Sequence, residues 1–260
     1  FALAAIPASF QESGRLTALF YAERLLEFPL GLIAASLGMA IVPLLAAKES
    51  AAGQGLPQKL SAAFSLALLI TLPAAFGLAA CAPPLVRLLL QHGAFDALAA
   101  EHTASVLCAC APVLPAYALS RPLLAACHAL GLNRRLSAQA IFTLALSLAG
   151  GLICSRLLPG AAGPAAGICL GVWAQAILLW KTVRQRCPVR LNLPLAALSL
   201  AGSLGTFAAA RTVCRMGEAN GFPPLFCLAA AIITGMACYA LFLVPAVRQL
   251  KNLLALLKKL

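Results

Sequence analysis

The sequence predicts an all-α polytopic membrane protein, and three observations carry that prediction. Of the 260 residues 62% are hydrophobic and 10% charged, with a mean hydropathy of +0.96, a balance outside the range of soluble domains. Apolar stretches of about 20 residues, enough to cross about 30 Å of hydrocarbon as helix, recur between short loops rich in Gly, Pro and basic residues. The alternating pattern of a membrane barrel is absent, which leaves helices as the spanning structure.

Taken in order, Phe1 to Ser9 reads as part of a span, and a long helix from about Arg15 to Ala47 follows, with a bend expected at Pro29. The next span runs from near Pro57 to near Cys81. Pro83-Pro84 is then expected to open a short interfacial segment, Leu85 to Gln91, ending at His92-Gly93. Further spans are read at Asp96 to His128, Leu136 to Leu157, Ala162 to Trp180, Leu193 to Ala210 and Phe222 to Val247, giving seven complete crossings and one partial one. Arg248, Lys251, Lys258 and Lys259 interleave with Leu250, Leu253, Leu254, Leu256 and Leu257 in the pattern of an amphipathic tail on the inner leaflet.

Basic residues set the orientation. Twelve fall in one set of loops, among them Lys48, Lys59, Arg134, Arg135, Lys181 and Arg184, against five on the other side. A cytoplasmic C-terminus is expected. The net charge of +12 then reflects topology and the anionic inner leaflet, and nucleic-acid binding is not expected. The chain opens at Phe1 inside an apolar segment with no charged n-region, so we expect a fragment of a longer protein with an N-terminal lobe missing.

Function is most legible in Leu19-Phe20-Tyr21-Ala22-Glu23-Arg24-Leu25-Leu26-Glu27-Phe28-Pro29, at the head of a run from Leu30 to Ala47 without an ionisable residue. An Arg at mid-bilayer costs about 2.5 to 3.5 kcal/mol on insertion scales, which points to a polar cavity. At 100° per residue Thr17, Tyr21, Arg24, Glu27 or Phe28, and Gly31 share one stripe. A guanidinium suits a pyrophosphate because its planar donors engage two oxygens at once and it stays charged. Glu27, three residues on, can hold Arg24 while the site is empty. A purely structural pair, or snorkelling of both side chains to the interface, is the competing reading.

The same residues, Tyr21 to Pro29 with Leu37-Gly38-Met39-Ala40-Ile41-Val42-Pro43, resemble the eighth transmembrane helix of the MurJ (MviN) family of lipid II flippases. Leu89-Leu90-Gln91-His92-Gly93-Ala94-Phe95-Asp96 is similar to that family's loop between its ninth and tenth helices and falls at the expected distance. The resemblance covers essentially the whole chain, although beyond Arg135 it rests on hydropathy and span count.

The resemblance implies the fold of the MOP exporter superfamily: a MATE-like C-terminal six-helix lobe over residues 1–190, two additional transmembrane helices over 191–247, and a cytoplasmic tail over 248–260. It implies a multi-pass protein of the bacterial cytoplasmic (inner) membrane that moves lipid II outward by alternating access, with its N-terminal lobe and membrane lipids as partners. Arg24 and Glu27 match the family's functional Arg and Glu, and Thr17 falls where some relatives carry a cavity-facing Ser; with Tyr21 these are the expected substrate-binding residues. Pro29, Gly31 and Arg121 are the expected hinge or gate residues, with snorkelling as the alternative for Arg121. The segment Leu124 to Arg135 departs from the family pattern of an aromatic pair followed by an acidic turn and Thr-Pro. Another exporter of the superfamily, for O-antigen lipids or drugs, is the nearest alternative function.

Other chemistries find little support. The ten cysteines contain no C-x-x-C, and no metal or cofactor is expected. Sodium-binding relatives use carboxylates and amides of this lobe, whereas no Asp or Glu lies between Glu101 and Glu218, so that site is expected to be absent or altered. No paired acidic motif for Mg²⁺ exists, and a single Asp excludes an aspartyl dyad, so an enzyme is not expected.

Overall fold

A computed structural model describes residues 14–46, 56–93, 95–157, 162–187, 189 and 192–244, with the side chains of the first helix described through Leu32. The expected partial span Phe1 to Ser9 and the amphipathic tail lie outside these residues. Eight helices occupy the described chain: α1 (Arg15–Ala46), α2 (Leu56–Leu90), α3 (Ala97–Cys110), α4 (Val113–Ala129), α5 (Asn133–Leu157), α6 (Ala162–Arg184), α7 (Leu193–Ala219) and α8 (Pro224–Leu243). By length and composition six stretches are apolar enough to cross a membrane, with α3 and α4 together forming one of them. The protein is therefore a polytopic helical membrane protein.

α2 is the organising element. It packs against α3 and α4 on one side and against α7 and α8 on another, while α1 rests on α3 and α4, and α6 joins α4 to α5. The main core gathers Leu26 of α1, Val86 of α2, Val106 and Leu107 of α3, and Leu114 of α4. A second cluster joins Leu60 and Phe64 to Leu123, Leu179 and Val183 at the ends where the basic loops lie.

One expectation is corrected. Leu85 to Gln91 is not a separate interfacial segment, because α2 runs unbroken through Pro73, Pro83 and Pro84 to Leu90. Proline removes a backbone donor, but a membrane helix survives the loss where neighbours pack around it. Here Cys81, Ala82, Pro84 and Val86 are buried. At Pro73 the compensation is direct. That proline leaves the carbonyl of Leu69 without its intrahelical donor, and the Tyr239 hydroxyl of α8 donates to this oxygen at 2.7 Å. The expected span from Asp96 to His128 is one crossing made of two helices, α3 and α4, which meet at Ala111-Pro112, where the Trp173 indole donates to the Pro112 carbonyl at 3.1 Å.

Close backbone approach fixes α5 on α6. Gly163, Gly167 and Gly171 recur every fourth residue on α6, facing Ser155, Gly151 and Ser147 on α5. A Cβ on Gly167 would overlap the Gly151 backbone and stand 2.9 Å from the Ser147 carbonyl oxygen. Small residues let helices touch where lipid offers no hydrophobic drive to associate. The same logic holds on α7: a Cβ on Gly202 would lie 3.0 Å from the Cβ of Phe242, and one on Gly205 3.0 Å from the Phe242 ring. Gly202 and Gly205 therefore pack against α8.

The divergent segment after Leu124 has a plain structural role. Gly131 adopts φ +69°, Leu132 donates to the Cys127 carbonyl and Gly131 to that of His128, both at 3.0 Å, which is a Schellman stop between α4 and α5. His128 Nδ1 lies 2.9 Å from Asn133 Oδ1 and closes the turn.

Candidate functional site

The charged turn of α1 stands between two cavities. The helix is continuous through Pro29, and the burial of Ala18, Leu19, Ala22 and Leu26 on its inner face turns the opposite stripe outward. Arg24 Nη1 donates to Glu27 Oε2 at 2.9 Å. The side chains are 79% and 52% exposed, so solvent screens the pair and its strength is that of a surface helix pair, about 0.2–0.5 kcal/mol in water. A contact this weak yields readily to a competing anion.

Arg24 lines an apolar groove of about 890 Å³. Phe28 and Pro29 of α1, Ile70 and Pro73 of α2, and Met236 and Tyr239 of α8 contribute to its walls, which are almost entirely hydrocarbon. Polar walls are confined to groups already engaged: Thr206 donates to the Gly202 carbonyl at 2.9 Å, and Tyr239 donates to Leu69. The groove fits an extended apolar chain whose anionic end meets the guanidinium.

Glu27 faces the other way. With Gly31 it lines a pocket of about 540 Å³, to which Tyr117, Ser120 and Arg121 of α4 and Gln175 of α6 contribute. The Arg121 guanidinium lies over the Tyr117 ring, 4.4 Å from its centroid. The two charges of one helical turn thus address different cavities, Arg24 the apolar one and Glu27 the polar one.

The expected site residues divide accordingly. Arg24 and Pro29 reach the groove, while Glu27, Gly31 and Arg121 meet in the polar pocket. Thr17 and Tyr21 are exposed and line neither cavity. The Tyr21 ring instead meets Phe95 edge-on, with centroids 5.2 Å apart and planes at 84°. Phe95 belongs to the loop motif, so the two motifs found far apart in sequence touch in space. Asp96 ends that loop as the N-cap of α3, accepting from the Ala99 amide at 2.8 Å. Sequence reasoning missed Tyr117, Gln175 and Tyr239. Gln175, a polar residue in the middle of an apolar span, was the available signal for the pocket.

A polytopic helical protein that sets an arginine–glutamate pair beside a long apolar groove has the architecture of a membrane transporter lobe. The family model described as "Lipid II flippase MurJ" matches residues 2–219, and the chain belongs to that family. A probable lipid II flippase MurJ of Bdellovibrio bacteriovorus is 35% identical over 104 residues, covering 38% of this chain and 19% of that protein. A probable lipid II flippase MurJ of Vibrio cholerae is 34% identical over 89 residues, covering 34% of this chain and 17% of its own length. Among solved structures, a lipid II flippase MurJ in an inward closed conformation superposes with a TM-score of 0.75 at 20% identity, over 95% of this chain and 50% of that one. The chain thus spans about half the length of the solved protein it matches, and the fold expectation is met.

Proposed function

We propose that the protein containing this chain moves lipid II from the inner to the outer leaflet of the bacterial cytoplasmic membrane by alternating access. The observation that carries this reading is the union of Arg24 with a long apolar groove. A pyrophosphate-linked polyprenol is an amphiphile with a compact anionic group joined to a long hydrocarbon chain. Arg24 takes the pyrophosphate as a bidentate donor, and the groove between α1, α2 and α8 takes part of the chain. Family membership supports the same substrate class.

In this reading residues 1–190 are the C-terminal transporter lobe, 191–247 the two additional helices and 248–260 a cytoplasmic tail, with an N-terminal lobe completing the cavity. Glu27 holds Arg24 in the empty state. Thr17 and Tyr21 border the headgroup, and Pro29, Gly31 and Arg121 take part in opening and closing. Proline and glycine in α1 allow a change of helix direction where an all-alanine turn would resist it. Transport, and no covalent chemistry, is the activity.

The test is rescue of cells depleted of their own lipid II flippase by the full-length protein. Growth with normal cell shape is expected. A full-length protein that reaches the membrane and leaves the cells to lyse overturns the assignment and turns attention to another exporter of the superfamily.

A further inference from the structure

We infer that Glu27 is shared between two arginines, paired with Arg24 when the site is empty and passed to Arg121 when an anionic headgroup occupies Arg24. This inference rests on the pyrophosphate reading of Arg24 and adds a coupling that the reading does not contain.

The argument begins with charge. One carboxylate is set between the sites of two guanidinium groups: Arg24 is bonded to Glu27 at 2.9 Å, and Arg121, on the facing helix, lines the same pocket as Glu27 with no carboxylate bonded to it among the described residues. Arg121 is held by the Tyr117 ring, a contact that leaves the edge of its guanidinium and its N–H donors available. When a pyrophosphate displaces Glu27 from Arg24, the freed carboxylate keeps its charge and faces a pocket to which Arg121 contributes the opposite one, so the two attract across it. Arg121 is the other cation facing that pocket among the described residues.

Exposure leaves room for the exchange. Glu27 is half exposed, so no packing holds its rotamer, and Gly31, one turn further on, leaves the pocket wall open with no atom within 4 Å of an added Cβ. Ser120 already donates to the Ala116 carbonyl at 2.8 Å, which leaves Arg121 as the strong donor to an arriving carboxylate. The consequence is mechanical. A Glu27 to Arg121 pair draws α1 toward α4 across the polar pocket, so occupation of Arg24 from the groove side closes the cavity on the other side of the helix. Arg121 is then a positioning residue that acts through Glu27 and does not touch the anion.

The test is a double-mutant cycle on the purified full-length protein, reading the Kd for undecaprenyl pyrophosphate in detergent micelles, with thermal unfolding of each variant as a control for folding. Arg121→Gln is expected to weaken binding about tenfold, Arg121→Lys by less than about threefold, and the Arg121→Gln loss should vanish in a Glu27→Gln background, as coupled residues require. An equal loss from Arg121→Gln in the wild-type and Glu27→Gln backgrounds places Arg121 on the ligand itself and overturns the exchange. So does no loss in either background. Failure of wild type to bind undecaprenyl pyrophosphate removes the pyrophosphate reading and the exchange together, whereas binding without coupling between Arg121 and Glu27 removes the exchange alone.

Discussion

The hydroxyl of Tyr239 donates, at 2.7 Å, to the carbonyl of α2 that Pro73 deprives of its helical partner, that of Leu69. Ser199 of α7 joins the same point, its Oγ 2.9 Å from the Tyr239 oxygen. Both α7 and α8 are thus fastened to a place where α2 cannot bond to itself. Tyr239, Leu69 and Pro73 also line the apolar groove, so the fastening and the groove share their residues.

Tyr239→Phe should therefore cost about 1–3 kcal/mol, the penalty for stranding a buried acceptor. In a Pro73→Ala background the alanine amide satisfies Leu69, and the cost of Tyr239→Phe should fall to near zero. Chemical denaturation of the four proteins measures both. An undiminished cost in the Pro73→Ala background would show that the hydroxyl matters for another reason.

Gly167→Ala should destabilise by at least about 1–3 kcal/mol, the range for overpacking, because the new Cβ meets the Gly151 backbone, which cannot swing aside. Gly77→Ala is the control, since nothing lies within 4 Å of its added Cβ. Thermal midpoints of the two variants should separate clearly, and coincident midpoints would contradict the packing of α5 on α6.

Gly31→Ala separates a hinge from a filler. Its Cβ meets no atom within 4 Å, so folding should be unharmed, and α1 should gain roughly 0.5–1 kcal/mol of helix stability from reduced backbone freedom. A hinge role predicts slower transport at unchanged ligand affinity, and wild-type flux in proteoliposomes would remove Gly31 from the gate.

Cys187 lies beyond the end of α6, buried among the second cluster, and burial pushes its thiol above the usual value near 9. The folded state then favours the protonated thiol, so this contribution to stability is complete below the unfolded pKa and is lost as pH rises through the folded one. Alkylation of Cys187 should be slow at neutral pH and accelerate only above the range where an exposed thiol ionises, as followed by mass spectrometry. Rapid labelling at about pH 7 would mean that the loop after α6 opens.

Much of this architecture was legible because a bilayer demands long apolar runs, and those mark the spans from α2 through α8, although neither the end of α2 nor the junction of α3 and α4. The charged turn was equally visible, since Arg24 and Glu27 interrupt such a run. What could not be read was how prolines behave. Pro83-Pro84 looks like a terminator, yet α2 passes through it because neighbouring helices bury the turn. Pairings across helices were hidden too: nothing in the sequence links Tyr239 to Leu69, 170 positions away, or Tyr21 to Phe95. Nor does anything in the sequence bring Gly202 against Phe242 and Tyr239, which stand 3.0 and 3.1 Å from its Cβ position. Motifs name the charged residues, but only three-dimensional packing assigns Arg24 to the groove and Glu27 to the polar pocket.

The most direct test of the central claim is lipid II translocation by the purified full-length protein in proteoliposomes, comparing wild type, Arg24→Lys and Arg24→Ala at equal protein density. With Arg24 as the pyrophosphate ligand at the head of the groove, Arg24→Ala should lose at least about tenfold in rate, as expected when a bidentate charged donor is removed, and Arg24→Lys should recover only part of it. Equal translocation by wild type and Arg24→Ala would contradict the account.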